Sequence, residues 1–437
     1  MDSLATREPE AARARRPKVL LFLRPAAGGM LEEFLILAQR LPRGTFDLVA
    51  CGPSDFRLMQ GFHATEVPYQ PLRLEPYPAA VLQLLRLVAR ERPALVHSHG
   101  VFAALVAHLA LRILAVARLS AWGRLRRPRH VVTIHTLVSE ERFGGPWGWL
   151  AKAMVGGALR SADTVIAVSQ AARETLEAVF PSLRGRVEVI HNGVDVEPLL
   201  EPVNRGAMVG LLGLRGDSPH VGVVARLSRE KGVEHFIRAA SILSAEGLDV
   251  EYVVAGDGPL HQELLQLAHE LGISAEVHFL GAQSDVHPVL AILDVLVIPS
   301  LSESFSLIGV KGALLGIPIV ASRVGGLPEV LPETMARFVP PGDPEALAEA
   351  IRAVLNEIAV RPVPWLEDLG LAASALALAA RTGLDLDDEV ARQYLVAAGG
   401  DDPRLALAGR FAPERMVQRV HEVYERLVLQ RTDTKPA

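Results

Sequence analysis

Two cations that follow a strand-like run are the first residues whose types and spacing point to chemistry. Arg226 and Lys231 lie in the segment Ala-Arg-Leu-Ser-Arg-Glu-Lys-Gly, which begins at the end of the apolar run Val221–Ala225. A guanidinium binds phosphate oxygens in pairs and an ammonium binds them as a point charge, so the two cations suit a diphosphate. Gly232, next to Lys231, favours close approach of a ligand. The alternative is that both cations belong to a solvated loop.

A loop of small residues predicts a second anion site. Another apolar run ends at Pro299 and a helical pattern begins near Leu307, with Ser-Leu-Ser-Glu-Ser-Phe-Ser between them. The amides of such a loop and the N-terminus of the helix attract phosphate. Glu303, inside this loop, offers a carboxylate that accepts hydrogen bonds from sugar hydroxyls.

Pairs of glycines follow two further strand-like runs. Gly28 and Gly29 come after the first run of the chain, and Gly325 and Gly326 come after a run in the second half. Glycine before a helix lets backbone N–H groups approach an anion, although such a pair often marks only a turn. Because loops suited to anions recur in both halves, the sequence predicts a phosphate-bearing ligand that bridges them.

Three histidines, His97, His99 and His135, lie at the ends of strand-like runs in the first half. A single histidine at such a place is more often structural, but three at equivalent strand ends favour a site. Their spacing matches no zinc signature, so we predict no metal. Asp385 and Asp387 match the pattern D-x-D, which is also found in metal sites. We interpret them as the start of a helix instead.

The elements that would position these residues alternate between strand and helix. Most of the strand-like runs are continuously apolar, which is typical of strands buried on both faces of a parallel sheet. They are Val19–Leu23, Phe46–Ala50, Ala94–His97, Val131–His135, Thr164–Val168, Val187–Ile190, Val221–Ala225, Val250–Ala255, Val277–Leu280, Val295–Pro299 and Ile317–Ala321. This alternation predicts an α/β protein with two doubly wound, Rossmann-like domains. Such sheets bind ligands beyond the carboxyl ends of their strands, so we expect the active site in the cleft between the domains.

The predicted domain boundaries follow from changes in composition. The segment from Asp195 to about Ser218 is rich in proline and glycine and is interpreted as a linker. We predict a disordered tail at 1–16, a first domain at 17–200 and a second domain at 201–410. Within the second domain, residues 361–409 form an added helical segment. Residues 411–437 contain a terminal helix.

Composition excludes several classes of protein. The chain has 437 residues, 45 Lys and Arg against 50 Asp and Glu, and a formal net charge of −5, which argues against a nucleic-acid-binding protein. Half of the residues are hydrophobic, so global disorder is excluded. The single cysteine, Cys51, excludes a disulfide framework. We expect a soluble, cytoplasmic protein.

The segment from Val101 to Arg129 has a more ambiguous pattern. Apolar residues up to Leu119 are interrupted by arginines, and more arginines follow. A helix at a membrane surface has this pattern, as does a buried helix followed by a solvated basic loop. Because Phe143, Trp147 and Trp149 follow nearby, we keep contact with the inner face of the membrane as a hypothesis.

Taken together and in order, ten short motifs make the chain resemble the retaining glycosyltransferases of family 4, which have the GT-B fold. They are Gly28-Gly29, His97-Ser-His99-Gly100, Val132-Thr-Ile-His135, Val165–Ser169, His191-Asn-Gly-Val-Asp195, Arg226 with Lys231-Gly232, Ala255-Gly-Asp-Gly-Pro259, Phe279-Leu-Gly281, Pro299–Leu307 and Gly325-Gly326-Leu-Pro-Glu329. The resemblance covers roughly residues 18–358 and the terminal helix.

The resemblance implies a two-domain enzyme whose central cleft binds a nucleotide sugar. The first domain would bind the acceptor and the second the donor, and the terminal helix would cross back onto the first domain. Arg226 and Lys231 would neutralise the donor diphosphate, and Glu303 would contact hydroxyls of the donor sugar. His135 would lie beside the reacting sugar.

Backbone groups complete the implied site. The amides of Ser304, Phe305, Ser306 and Leu307 would hold the sugar and phosphate, and Gly28 and Gly29 would face the phosphate and the acceptor. No cofactor and no obligatory metal are implied. The acceptor would be a glycan, a lipid-linked sugar or a small molecule.

One position departs from the family's pattern. Eight residues after Glu303 the pattern has a second glutamate, which binds the ribose hydroxyls, but this chain has Lys311. An ammonium has no lone pair with which to accept a hydrogen bond. Three hypotheses remain: an enzyme with a different ribose contact, an enzyme with a changed donor, or a non-catalytic nucleotide-sugar-binding protein. Leu31 is a milder departure, because a glutamate is common at that position.

The leading prediction is therefore a retaining, metal-independent glycosyltransferase that uses a UDP- or GDP-sugar. Two alternatives stay open at this point. One is a non-catalytic or impaired nucleotide-sugar-binding protein, and the other is a sugar-nucleotide epimerase with the same architecture.

Overall fold

The computed structural model describes residues 16–24, 29–63, 65–117, 127–360 and 403–429. Within these ranges the chain forms two α/β domains, one on a seven-stranded parallel sheet and one on a six-stranded parallel sheet. The predicted fold class, two Rossmann-like domains with parallel sheets, is confirmed. The predicted tail at 1–16, apart from Arg16, and most of the added segment at 361–409, including Asp385 and Asp387, lie outside the described residues.

The first domain contains β1 (Lys18–Leu23), α1 (Gly29–Arg40), β2 (Asp47–Gly52), α2 (Phe56–His63), β3 (Tyr69–Pro71), α3 (Tyr77–Glu91), β4 (Leu95–His99), α4 (Val101–Ala117), β5 (Arg129–Ile134), α5 (Gly148–Ser161), β6 (Thr164–Ala167), α6 (Gln170–Val179) and β7 (Val187–Val189). Its strand order is β3-β2-β1-β4-β5-β6-β7. The order reverses between β1 and β4, where Leu23 pairs with His99. The carboxyl ends of these two strands therefore open a crevice in which ligands of such sheets bind.

The second domain contains α7 (Arg205–Leu211), β8 (His220–Val224), α8 (Val233–Ala245), β9 (Glu251–Ala255), α9 (His261–Glu270), β10 (Val277–Gly281), α10 (His287–Leu290), β11 (Val295–Ile298), α11 (Leu307–Leu314), β12 (Ile319–Ser322), α12 (Leu327–Val330), β13 (Ala336–Val339), α13 (Pro344–Val360) and α14 (Pro403–Arg410). Its strand order is β10-β9-β8-β11-β12-β13, with the reversal between β8 and β11. The loops that carry Lys231 and Glu303 follow these two strands.

The last described helix, α15 (Pro413–Val428), follows the second domain in sequence but packs on the first domain. It follows α14, which packs on α11 of the second domain, but it packs itself against α1 of the first domain. Tyr424 on α15 is fully buried, and its hydroxyl lies 2.7 Å from Nδ1 of His97. Arg40 on α1 forms ion pairs with Asp195 and with Glu414 on α15. The chain thus crosses between the domains twice.

The segment interpreted as a linker contains a helix. Asn204 accepts a hydrogen bond from the amide of Ala207 and so caps α7. Val209 on this helix is buried in the core of the second domain together with Leu214. The segment rich in proline and glycine lies between β7 of the first sheet and β8 of the second. Its short helix was not predicted, because one cap and one buried valine are a weak pattern.

Candidate active site between the two domains

An ion pair joins the two loops at the strand-order reversal of the second domain. Nζ of Lys231, after β8, lies 2.6 Å from Oε2 of Glu303, after β11. The Glu303 side chain is 9% exposed and that of Lys231 is 26% exposed, so the ammonium is the member that solvent or a ligand reaches more readily. Arg226, on the same loop as Lys231, is exposed. The two predicted diphosphate-binding cations and the predicted sugar-binding carboxylate therefore lie at one edge of the sheet.

Glycine allows these two loops to pack so closely. Gly232, next to Lys231, has a φ of +60°, and a Cβ at this position would lie 2.1 Å from the carbonyl oxygen of Pro299. No side chain fits there, since such a contact is far inside van der Waals distance. The packing holds the loop after β8 against the end of β11. It explains why Lys231 and Glu303 meet although 72 residues separate them.

The loop after β11 presents free backbone amides. Among the described residues, no acceptor receives a hydrogen bond from the amides of Ser304, Phe305, Ser306 or Leu307. Ser306 caps α11, because its Oγ accepts from the amide of Gly309 at 3.1 Å. The side chains of Phe305 and Leu307 are buried in the core of the second domain. Only the backbone of these two residues is thus placed to bind an anion at the helix N-terminus.

The second glycine pair, Gly325 and Gly326, packs against the backbone of the loop after β11. Gly325 has a φ of +51°, and a Cβ there would lie 2.0 Å from the carbonyl oxygen of Glu303. A Cβ on Gly326 would lie 2.1 Å from the carbonyl oxygen of Ser304. The amide of Gly326 donates a 2.9 Å hydrogen bond to the carbonyl of Glu303. The pair was predicted to expose its own backbone to a ligand; in the structure it packs against the loop whose amides are free.

On the first domain, two histidines and a glutamate form a buried chain. Oε2 of Glu33, on α1, lies 2.9 Å from Nδ1 of His135, which follows β5. Nε2 of His135 lies 3.2 Å from Nδ1 of His99 at the end of β4. Glu33 and His99 are buried, and the His135 side chain is 5% exposed. Both ring nitrogens of His135 therefore face residues of its own domain.

The other strand-end histidine has a structural environment. His97 is fully buried, with Nδ1 near the hydroxyl of Tyr424 and Nε2 2.8 Å from Oγ1 of Thr133. Burial lowers the pKa of His97 to about 3, with His135 as the next cause. Burial also lowers the pKa of His99 well below its usual range. Both rings are therefore neutral at pH 7 and act as hydrogen-bonding groups rather than charges.

The buried chain is also the donor set with which the described residues could hold a metal. One ligand atom each from Glu33, His99 and His135 lies within 4.8 Å of the others. Two imidazoles and a carboxylate suit zinc or another transition metal. Sequence spacing gave no sign of this group, because Glu33 lies on the first helix and the histidines follow β4 and β5.

Several contacts join the two domains directly. The Ser304 hydroxyl donates to the carbonyl oxygen of His135. A Cβ on Gly29, at the start of α1, would lie 2.8 Å from Cδ1 of Leu307. The two faces of the cleft thus touch at the first residues of α1 and α11. Gly28, the predicted partner of Gly29, lies outside the described residues.

Glu329 provides a further interdomain contact. Its carboxylate, on α12 of the second domain, accepts from the amide of Gln170 at 2.8 Å and 3.0 Å, at the N-terminus of α6 in the first domain. Nε2 of His191 lies 2.7 Å from the same carboxylate. Burial opposes ionisation of Glu329, but hydrogen bonds from His191 and the α6 amides outweigh it, and the pKa of Glu329 is lowered. The charge of this glutamate therefore ties the domains together.

Lys311, the residue that departs from the family's pattern, also has a partner in the other domain. Its Nζ lies 2.8 Å from Oε1 and 3.0 Å from Oε2 of Glu32 on α1. Sequence reasoning singled out Lys311 but missed Glu32. It also missed Glu33. The signal available was that both glutamates follow the glycine pair on the first helix, where acidic residues face the cleft.

Two family models match the chain, one for each domain. The model described as Glycosyltransferase Family 4 matches residues 27–198, and the model described as Glycosyl transferases group 1 matches residues 218–357. The first match spans α1 to the end of the first sheet, and the second spans the second sheet.

Two curated relatives support the same assignment. An uncharacterized glycosyltransferase of Methanocaldococcus jannaschii is 30% identical over 199 residues, which cover 44% of this chain and 51% of the relative. The alpha-maltose-1-phosphate synthase of Mycolicibacterium smegmatis is 27% identical over 297 residues, which cover 62% of this chain and 71% of the relative. The chain thus spans about half the length of the archaeal relative.

A solved structure shows the same architecture. The crystal structure of HepE from Anabaena in complex with UDP-glucose superposes with a TM-score of 0.72, covering 94% of this chain and 99% of that protein at 20% sequence identity. At this identity the likeness establishes the fold, which is GT-B.

The support of the loop by Gly325 can be tested by adding a single methyl group. Gly325→Ala should lower stability by about 1–2 kcal/mol through its left-handed backbone. It should lose about 1–3 kcal/mol more through overlap with Glu303. Gly272→Ala is the matched control, because Gly272 has a φ of +74° but nothing within 4 Å of its added Cβ. Thermal unfolding of both variants measures the difference, and equal losses would contradict the support that we assign to Gly325.

Proposed function

Because the chain belongs to glycosyltransferase family 4, we propose that it transfers a sugar from a nucleoside-diphosphate donor to an acceptor, with retention of the anomeric configuration. The observation that carries this proposal is the juxtaposition of Lys231, Glu303 and the free amides of Ser304 to Leu307 at one strand-order reversal. A cation and amide donors suit a diphosphate, and a carboxylate beside them suits sugar hydroxyls.

The donor is proposed to be a UDP- or GDP-sugar. The diphosphate would lie between Lys231, Arg226 and the N-terminus of α11, and Glu303 would accept hydrogen bonds from the sugar. In the present structure Glu303 pairs with Lys231, so a bound diphosphate would take over the ammonium and release the carboxylate toward the sugar. HepE, which shares the fold, was crystallised with UDP-glucose. That complex supports a nucleotide sugar as the class of ligand to test here.

The chemistry that we propose needs no covalent intermediate. The bond between the anomeric carbon and the diphosphate oxygen breaks, and the acceptor oxygen bonds to the same face of that carbon. The acceptor proton moves to the departing phosphate oxygen. Lys231 and Arg226 stabilise the negative charge that develops on the leaving group, so no metal ion is obligatory. The hydrogen bond from the Ser304 hydroxyl to the carbonyl of His135 joins the first domain to the loop that would hold the sugar.

The two alternatives from the sequence are less favoured. The pattern around Glu303 and the matches to glycosyltransferases argue against an epimerase. Lys311 was the reason to consider a non-catalytic protein. Since Lys311 holds a carboxylate at the cleft, its presence no longer implies that nucleotide binding is lost.

Removal of the Lys231 ammonium tests the proposed diphosphate site. Lys231→Ala should lower the rate at which UDP or GDP is released from the nucleotide sugar by about 100- to 1000-fold. Such a loss is typical when one group that stabilises the charge of the transition state is removed. Lys18→Ala is the control. Lys18 also forms an ion pair, with Glu91 at 2.7 Å, but it lies at the N-terminal end of β1, whereas the carboxyl end of β1 faces the cleft. Both assays contain EDTA. Equal activity of the two variants would contradict the site, and loss of wild-type activity in EDTA would contradict metal independence.

Two exposed tryptophans support a membrane-surface acceptor as a further part of the proposal. Trp147 and Trp149, at the start of α5, are 71% and 68% exposed. Ile113 and Val116 are also exposed, but they lie near the end of α4, beside the opposite end of α5. Exposed tryptophans suit the interface between water and lipid, and Arg112, also exposed, adds attraction to anionic lipid. The arginines at 118–126 lie outside the described residues. Within the described ranges, no helix combines the length and apolar character needed to cross a bilayer.

A vesicle-binding assay tests the role of the two tryptophans. The double substitution Trp147→Ala and Trp149→Ala should weaken binding to phosphatidylglycerol vesicles by about tenfold or more, because two large apolar side chains no longer enter the interface. Leu211→Ala is the control, since Leu211 is 78% exposed on α7 of the second domain. The same sedimentation of all three proteins would contradict membrane contact through the tryptophans.

A further inference from the structure

The ion pair between Lys311 and Glu32 crosses the cleft between the two domains. Lys311 is on α11 of the second domain and Glu32 is in the first turn of α1 of the first domain. The ammonium contacts both carboxylate oxygens, at 2.8 Å and 3.0 Å. The Glu32 side chain is 32% exposed and that of Lys311 is 13% exposed. The carboxylate is thus the member that a ligand can reach.

Lys311 lies about one helical turn along α11 from the proposed diphosphate site. Helix residues rise about 1.5 Å each, so Lys311 lies about 6 Å along the axis from Leu307, the first residue of α11. The proposed function places the diphosphate at that first residue. In a nucleoside diphosphate the ribose follows the phosphates directly. A ribose bound in the same direction would therefore reach the level of Lys311 and Glu32.

The chemistry of the pair selects the carboxylate as the ribose-binding group. The two ribose hydroxyls are donors that need acceptors, and an ammonium accepts nothing. A carboxylate offers about four lone-pair sites, and Lys311 donates to Oε2 and lies 2.8 Å from Oε1. The remaining sites of Glu32 can accept both hydroxyls. Without Lys311, this carboxylate would have no cation within reach among its described contacts.

We propose that Glu32 supplies, from the first domain, the carboxylate that binds the donor ribose, and that Lys311 orients it. This inference rests on the proposed nucleotide-sugar donor. The glutamate that the family's pattern places on α11 is thus replaced by one on α1, with the lysine as its anchor. Glu32 is the specificity-determining residue in this scheme and Lys311 is a positioning residue. Because the ribose contacts one domain and the diphosphate the other, the bound donor joins both.

Dependence of binding on the ribose hydroxyls distinguishes this role from a purely structural ion pair. The full-length protein is titrated by calorimetry with UDP, GDP and their 2′,3′-dideoxy forms. The wild type should bind one of the natural nucleotides about 10- to 100-fold more tightly than its dideoxy form, as expected for hydrogen bonds to a charged acceptor. Glu32→Gln should lose most of that preference through weaker binding of the natural nucleotide. Its affinity for the dideoxy form should stay within about twofold of wild type.

Two further variants separate the possible causes. Glu414→Gln is the control, because Glu414 also pairs with a residue of α1, Arg40, away from α11, and should keep the full preference. The exchange Glu32→Lys with Lys311→Glu keeps the ion pair, returns the carboxylate to α11 and should restore the preference. If Glu32→Gln does not fold, this exchanged variant still tests the ribose contact.

The outcomes that overturn the inference are distinct from failure of the proposed function. If Glu32→Gln weakens natural and dideoxy nucleotides equally, or changes neither, Glu32 does not bind the ribose. An exchanged variant that binds both forms equally also overturns the assignment. If the wild type binds no nucleotide at all, the proposed donor is wrong instead.

Discussion

The loop from Glu303 to Leu307 is the part of the structure on which the cleft depends. It is supported within its own domain by Gly325 and Gly326, where a side chain would collide with the carbonyls of Glu303 and Ser304. On its other side it touches the first domain, through the Ser304 hydroxyl on the carbonyl of His135 and through Leu307 beside Gly29. Its position fixes both the direction of the free amides and the distance between the two domains.

Charge pairing across the domains reinforces this arrangement. Glu329 pairs with the N-terminus of α6 and with His191, and Glu32 pairs with Lys311. Separating the domains would expose or isolate these charges, and breaking a partly buried pair is costly because one charge is left without a partner. Beneath the cleft, by contrast, His97 and His99 are kept neutral by burial. The charges of Glu32, Lys311 and Glu329 therefore lie where the two domains meet.

The sequence predicted the architecture because buried parallel strands leave a strong pattern. Continuous apolar runs such as Val19–Leu23 and Val221–Ala225 correspond to β1 and β8. The strands β3 and β13 escaped prediction, since Tyr69–Pro71 and Ala336–Val339 are short and only partly apolar. Arg226, Lys231 and Glu303 were singled out because each follows a strand, and the carboxyl ends of parallel strands lie at one edge. Their assigned roles remain predictions.

Contacts between distant parts of the chain were beyond sequence reasoning. Glu32 and Lys311 are 279 positions apart, and Glu329 and Gln170 are 159 apart, so no local spacing connects them. Lys311 was interpreted as the absence of the expected ribose contact, because its partner in the other domain was unknown. Similarly, Glu33 belongs to the histidine group only because α1 packs beside the ends of β4 and β5. Such groups become visible only when the relative position of the two sheets is known.

We propose that the cleft binds the diphosphate of a nucleotide sugar. The most direct measurement is thermal unfolding of the full-length protein with uridine or guanosine and then with the monophosphate, the diphosphate and the diphosphate sugar. Binding stabilises by mass action, by about 2.7 kcal/mol at a ligand concentration of 100 times Kd. We predict little shift with the nucleoside and the largest shifts with the diphosphate and its sugar in one of the two series. Equal shifts with nucleoside and diphosphate, or no shift in either series, would contradict the account.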